Sequence, residues 1–244
     1  MIRVHHLNNS RSQRVLWLLE ELGTPYEVVR YERDKKTMLA PETLKRVHPL
    51  GKSPVIEVDG KTLAETGLIV DRYGSALAPA HDSDLYWRYK YWLHYAEGSL
   101  MPPLLLKLVL DRLGLLAFPA RGFVNAQLKL HLDYLEGELG AAPWSLGDGF
   151  SAADIMMSFP LEAAKARAGL DESRPRLFDF LKRIHARRPT NARSQRAAHT
   201  DTPREARSRP RLARARINAL NRSAQLKIVS VHFRHHQRCN FTTV

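Results

Sequence analysis

The chain has 244 residues and one cysteine, Cys239, which lies near its end. A disulfide framework is thereby excluded, and so is a dithiol redox motif. Long apolar runs are missing as well: none approaches the ~18 residues of a membrane span. The N-terminal MIRVHHLNNSRS has no signal-peptide hydrophobic region. The expectation is a soluble, cytoplasmic protein that binds no membrane. Acidic residues are scarce in the C-terminal quarter. Residues 186–244 hold 2 of the 25 Asp+Glu but 14 of the 38 Lys+Arg. Residues 1–185 carry 24 bases against 23 acids, so the net charge of +13 belongs to the tail and the rest is nearly neutral. A nucleic-acid binder working through this tail would show salt-dependent binding that tail removal abolishes. That function ranks last, because the remaining chain adds almost no basic charge.

Secondary-structure signals fill residues 1–186. Ile2–Leu7 reads as a strand, and Asn8 to Ser12 as a loop rich in helix-capping residues. A helix follows to about Leu22, with Val15, Leu18, Leu19 and Leu22 on one face and Ser12 as its expected cap. Gly23 and Pro25 end it. Tyr26–Tyr31 reads as a second strand, and a short helix is expected around Pro41–Val47. Val55–Val58 and Thr62–Ala64 flank Asp59-Gly60, a two-residue hairpin turn. A helix begins near Glu65-Thr66. This β-α-β-α-β-β-α order is that of a thioredoxin-like domain over residues 1–74. Residues 75–83 form a linker, and 84–188 an all-helical domain. There, helices are expected over 84–99, on to Leu113 after an interruption at Pro102-Pro103, over 121–139, from Ser151 to Ala168, and over 174–186. Ser151 and Asp154 make a capping-box-like start. Over 189–244 aliphatic periodicity vanishes and Arg, Ala and Ser dominate. This basic tail resembles low-complexity or out-of-frame sequence, and disorder is expected there.

The stretch Gly51–Val70, GKSPVIEVDGKTLAETGLIV, carries the chemistry. A proline at a strand's first residue cannot join the ladder. With a cis Ser53–Pro54 bond, the N–H and C=O of Ser53 would face outward as an edge for another extended peptide. The N-terminus of the helix after Glu65 offers free N–H groups to a carboxylate. In order and spacing this unit resembles the glutathione-binding half of the cytosolic glutathione transferases, most nearly bacterial members related to the yeast-type enzymes. The resemblance covers residues 1 to about 188. It implies glutathione as co-substrate, with Ser53 before the cis Pro54 pairing its cysteinyl part, and Glu65 and Thr66 holding its γ-glutamyl end. Lys52 is the candidate for the glycyl carboxylate; Lys35 and Lys36 are weaker ones.

Glutathione's thiol is mostly protonated near neutrality, and the thiolate is the nucleophile. A hydroxyl or amide donor beside a helix N-terminus favours the anion. The loop after the first strand supplies two candidates, Ser10 and Asn9, each at one class's catalytic spacing counted back from Arg14. The loop has no cysteine, so a mechanism through a protein thiol is excluded. The resemblance implies conjugation of glutathione to small hydrophobic electrophiles, and a homodimer. The alternative is a non-catalytic module that binds glutathione or another protein, since fold alone does not fix function. Tyr91, Tyr95 and Met101 are candidates to line the electrophile site. His5 and His6 are expected to be structural. His232, His235, His236 and Cys239 match no zinc spacing, so no metal is expected.

Overall fold

The computed structural model describes residues 1–187; the expected basic tail, with its His and Cys set, lies outside the described residues. Four strands form one sheet in the order β2-β1-β3-β4. They are β1 (Ile2–Leu7), β2 (Tyr26–Tyr31), β3 (Val55–Val58) and β4 (Lys61–Ala64). Strand β1 runs parallel to β2, with Ile2 opposite Tyr26 and Leu7 opposite Tyr31. The β1–β2 connection is therefore a crossover, made by helix α1 (Ser12–Glu21). Strand β1 pairs antiparallel with β3, and β3 with β4 across the Asp59-Gly60 turn. Helices α2 (Glu42–Val47) and α3 (Thr66–Tyr73) complete this half.

Helix α1 is buried along its whole first two turns, from Ser12 to Leu19. The sequence suggests one apolar face; the structure uses two. Val15, Leu16 and Leu19 pack with Val4, Tyr26, Ile56 and Ile69 of the sheet half. Trp17 and Leu18 join the core of the helical half. The helix is thus a shared wall between two cores, which is why polar Arg14 is also fully buried on it.

The helical half comprises α4 (Leu85–Tyr95), α5 (Met101–Leu113), α6 (Phe118–Leu139), α7 (Ala152–Arg167) and α8 (Pro175–Arg187). The expected break at Pro102-Pro103 takes another form. Neither proline can donate to the carbonyl four residues back. The chain meets this by widening into a π-helical turn over Ala96–Leu100 between α4 and α5, with no break in the coil. Helix α7 is the hub, packed against α1, α3, α4, α5 and α8. Its start is fixed by Asp154, whose carboxylate accepts the Ser151 N–H at 2.7 Å and the Ser151 hydroxyl at 3.1 Å. Gly74 closes α3, and a Cβ there would lie 2.5 Å from the Val70 carbonyl oxygen and 3.2 Å from Ala152 Cβ. Only glycine allows α3 to end so close to α7.

Candidate active site

The loop between β1 and α1 is held from outside by Arg33. Its backbone N–H donates to Asn8 Oδ1 at 2.9 Å, and its guanidinium reaches the carbonyls of Asn8, Asn9 and Met38. Asn9 is exposed, with φ of 51°, a left-handed conformation that asparagine tolerates better than most residues. Ser10 turns the other way and is only 4% exposed. Its Oγ lies 2.7 Å from Ser12 Oγ and donates to Ser53 Oγ at 3.3 Å. It also accepts the Ser12 N–H at 3.4 Å.

Ser12 does not cap the helix as expected: the cap residue is Arg11, with no side-chain cap bond. Ser12 is the first residue of the helix, and its hydroxyl turns inward to His6 Nδ1 at 2.7 Å. Ser53 Oγ donates to the His5 carbonyl at 2.7 Å and accepts the Leu7 N–H at 3.2 Å. A chain of polar groups therefore runs from His6 through Ser12, Ser10 and Ser53 to the end of β1. The Ser53–Pro54 bond is cis. The backbone N–H and C=O of Ser53 take no hydrogen bond from the described residues, because the β3 ladder begins at Val55.

Gly51 precedes this corner at φ +55°, and a Cβ there would lie 2.8 Å from Lys45 Cγ. Lys52 is exposed beside it, whereas Lys35 and Lys36 sit in the Asp34 turn after β2. Glu65 is exposed and holds φ of 69°. Such a backbone is unusual for glutamate and occurs where surroundings enforce it. Thr66 follows as the first residue of α3 and is buried, with its Oγ1 3.5 Å from Arg14 Nη2.

Arg14 joins this corner to the helical half. It donates from Nη2 to the Glu97 carboxylate and from Nη1 to the Met156 carbonyl at 2.9 Å. That carbonyl belongs to the residue four before Pro160, which lies inside α7 and has no N–H to offer it. Arg14 fills the vacancy left by this proline. Glu97, on the π turn, also takes both contacts of Arg11 Nε, at 3.0 and 2.8 Å. Both guanidinium groups lie over the Phe159 ring, at 5.5 Å for Arg11 and 5.4 Å for Arg14. Burial pushes the Glu97 carboxyl up, but Arg14 and Arg11 more than offset this and hold it below the usual range. Burial, with a smaller push from the Arg11 charge, pulls the Arg14 guanidinium down, against the Glu97 charge. It remains a cation, since arginine does not deprotonate in proteins.

The structure thus brings Ser10, Ser53 and Pro54 into one corner, with Asn9 on the rim. Sequence reading missed Arg33, Glu97 and Pro160. Glu97 had a signal, as a lone acid in the apolar run YWLHYAEGSLM; Arg33 had none. Tyr95 and Met101 lie in the helical core. The Tyr95 hydroxyl pairs with His131 Nδ1 at 2.7 Å, and Tyr91 with Tyr134 at 2.9 Å, both on α6. Among the described residues no group of three His, Cys, Asp or Glu could hold a metal ion.

The family description "Glutathione S-transferase, N-terminal domain" matches residues 1–73, and "Glutathione S-transferase, C-terminal domain" matches 109–183. Glutathione S-transferase 1 of Saccharomyces cerevisiae is 36% identical over 211 residues, spanning 75% of this chain and 90% of the relative. Glutathione S-transferase 3 of Schizosaccharomyces pombe is 38% identical over 184 residues, spanning 68% of this chain and 75% of the relative. A crystal structure of a glutathione S-transferase from Actinobacillus pleuropneumoniae superposes with a TM-score of 0.70 at 35% identity. It covers 82% of this chain, and this chain covers 92% of it. The chain belongs to the glutathione S-transferase family.

Proposed function

We propose that this protein conjugates glutathione to small hydrophobic electrophiles, with Ser10 as the group that keeps the sulfur as thiolate. The observation that carries the reading is the position of the Ser10 hydroxyl, 3.3 Å from Ser53 Oγ beside the bare Ser53 backbone. An extended cysteinyl unit paired to Ser53 would bring its sulfur to that hydroxyl. Helix α1 begins two residues later and directs its positive end at the same corner. The thiolate then attacks the electrophilic carbon. A C–S bond forms with the sulfur lone pair, and the leaving group departs with its electrons, or an added carbanion takes a proton from water. Thr66 and Glu65 hold the γ-glutamyl end at the start of α3, and Lys52 meets the glycyl carboxylate. Asn9 is the rival donor, but it lies on the exposed side of the loop, where water competes for its amide.

The test is a titration of bound glutathione, read by ultraviolet thiolate absorbance. A charge-assisted hydrogen bond is worth roughly 1.5–3 kcal/mol, so Ser10→Ala should raise the thiol pKa by about one to two. Turnover near neutrality should fall while glutathione affinity changes little. If Asn9→Ala raises the pKa and Ser10→Ala does not, Asn9 carries the role.

The proposed organisation is a glutathione-binding domain over 1–74 and a helical domain over 84–188, joined by 75–83. The proposed state is a cytoplasmic homodimer. Trp87 is 74% exposed on α4 and Tyr91 half exposed beside it, on a face with Tyr134 of α6 that a second subunit would cover. No helix among the described residues is long and apolar enough to cross a membrane.

A further inference from the structure

The donor order in the hydroxyl chain is fixed at one end. The His5 carbonyl only accepts, so Ser53 spends its proton there at 2.7 Å. Ser53 Oγ can then only accept from Ser10, at 3.3 Å. The other end is open. Ser12 Oγ stands 2.7 Å from Ser10 Oγ and 2.7 Å from His6 Nδ1, and each short contact needs one proton. Two arrangements satisfy both and also use the Ser12 proton; a third, with His6 and Ser10 both donating to Ser12, would leave that proton unmet in the interior. In one, a His6 ring with hydrogen on Nδ1 donates to Ser12, Ser12 donates to Ser10, and the Ser10 proton is left for the Ser53 side. In the other, Ser10 donates to Ser12 and Ser12 to a bare Nδ1, so the Ser10 proton points into the protein.

Only the first arrangement leaves Ser10 as a donor toward the corner where Ser53 presents its backbone. There the Ser10 hydroxyl rotates from Ser53 to an incoming sulfur without giving up the bond it accepts from Ser12. Each link in such a chain also polarises the next, so an Ser10 oxygen that accepts from Ser12 is a stronger donor. Ser10, Ser12 and His6 are all buried, so water does not scramble the order.

We propose that His6 and Ser12 are positioning residues for catalysis: a His6 ring with hydrogen on Nδ1 sets the direction of the Ser12–Ser10 chain, so that the Ser10 proton faces glutathione's sulfur. Neither residue touches glutathione. The proposal rests on the reading of Ser10 as the sulfur donor and deepens it.

The experiment uses the full chain with bound glutathione, again read by thiolate absorbance. Ser12→Ala and His6→Leu should each raise the thiol pKa by about 0.5 to 1, less than Ser10→Ala, because they weaken the donor without removing it. Glutathione affinity at acid pH, where the thiol is protonated throughout, should stay within about twofold. Ser12→Thr restores a hydroxyl and His6→Asn an N–H near Nδ1, so both should return the pKa toward wild type. A purely structural role would not follow the hydroxyl and the N–H in this way. Nitrogen-15 NMR of the His6 ring in the unsubstituted protein checks the same point without a variant. Hydrogen on Nδ1 supports the proposal, and a neutral ring with hydrogen only on Nε2 overturns it. If Ser12→Ala and His6→Leu leave the thiol pKa in place while Ser10→Ala raises it, the chain has no directing role and Ser10 keeps its own. If Ser10→Ala also leaves it in place, the reading of Ser10 fails and takes this one with it.

Discussion

Two charged side chains of opposite sign are wholly buried, and the molecule holds them in opposite ways. Asp154 starts α7 and takes all its bonds from nearby chain, from the Ser145 N–H at 2.8 Å and from the Ser151 N–H and hydroxyl. Arg14 lies in α1 and takes its bonds from far away, from Glu97 of the π turn and Met156 of α7. The Asp154 knot is a local cap that two backbone amides close. Burial pushes its carboxyl above the ordinary aspartate range, and the bonds from Ser145 and Ser151 pull it back. The Arg14 knot is a joint between the halves, and it exists only once α1, α7 and the π turn have met. The first secures the helical half; the second couples that half to α1 and the start of α3.

The contrast can be broken by substitution. Asp154→Ala should be the most damaging change, costing about 3–5 kcal/mol, because two buried N–H groups lose their only acceptor. Denaturant midpoints measure it, and no second substitution should recover the loss, since backbone amides cannot be mutated away. Glu97→Leu should cost less, about 2 kcal/mol, because Glu97 is partly exposed while the charge it leaves on Arg14 is not. Here a second change does help: adding Arg14→Gln should recover about 1 kcal/mol, because the orphaned charge goes while an N–H remains for the Met156 carbonyl. Recovery in the Asp154 case, or none here, would erase the distinction.

The same pair predicts an acid limb. Glu97 has its folded pKa held below the ordinary value, so its contribution is present above the ordinary glutamate range and is lost as pH falls through the folded value. Stability should therefore fall more steeply for the unsubstituted protein than for Glu97→Gln between about pH 5 and about pH 3. The smallest effect belongs to Arg33→Ala. Its bonds to the Asn8, Asn9 and Met38 carbonyls are partly exposed, so stability should drop by about 1 kcal/mol or less. Proteolysis of the loop after β1 should nevertheless quicken.

Local chemistry was legible in advance. The hairpin at Asp59-Gly60, the cis Ser53–Pro54 bond, the Ser151–Asp154 start of α7 and the helix α8 all follow from residues within a few positions of each other. Arg14 was legible as a helix-start arginine, but its bond to Met156 was not. That bond depends on Pro160 emptying a carbonyl 142 residues from Arg14. Ser12 was misassigned for a related reason. A serine at a helix start reads as a cap, yet His6 comes within 2.7 Å only after β1 and α1 fold back on each other.

The sequence by itself determined the order of strands and helices and the position of the cis Ser53–Pro54 corner. Turn chemistry, capping and hydrophobic period act over a few residues and need no partner. The tertiary structure alone decided that α1 would be buried on two faces, that the Pro102-Pro103 strain would be absorbed as a π turn carrying Glu97, and which way Ser10 would point. Each of these depends on buried polar groups finding partners across the fold, and in a low-dielectric interior an unmet donor or acceptor is too costly to leave.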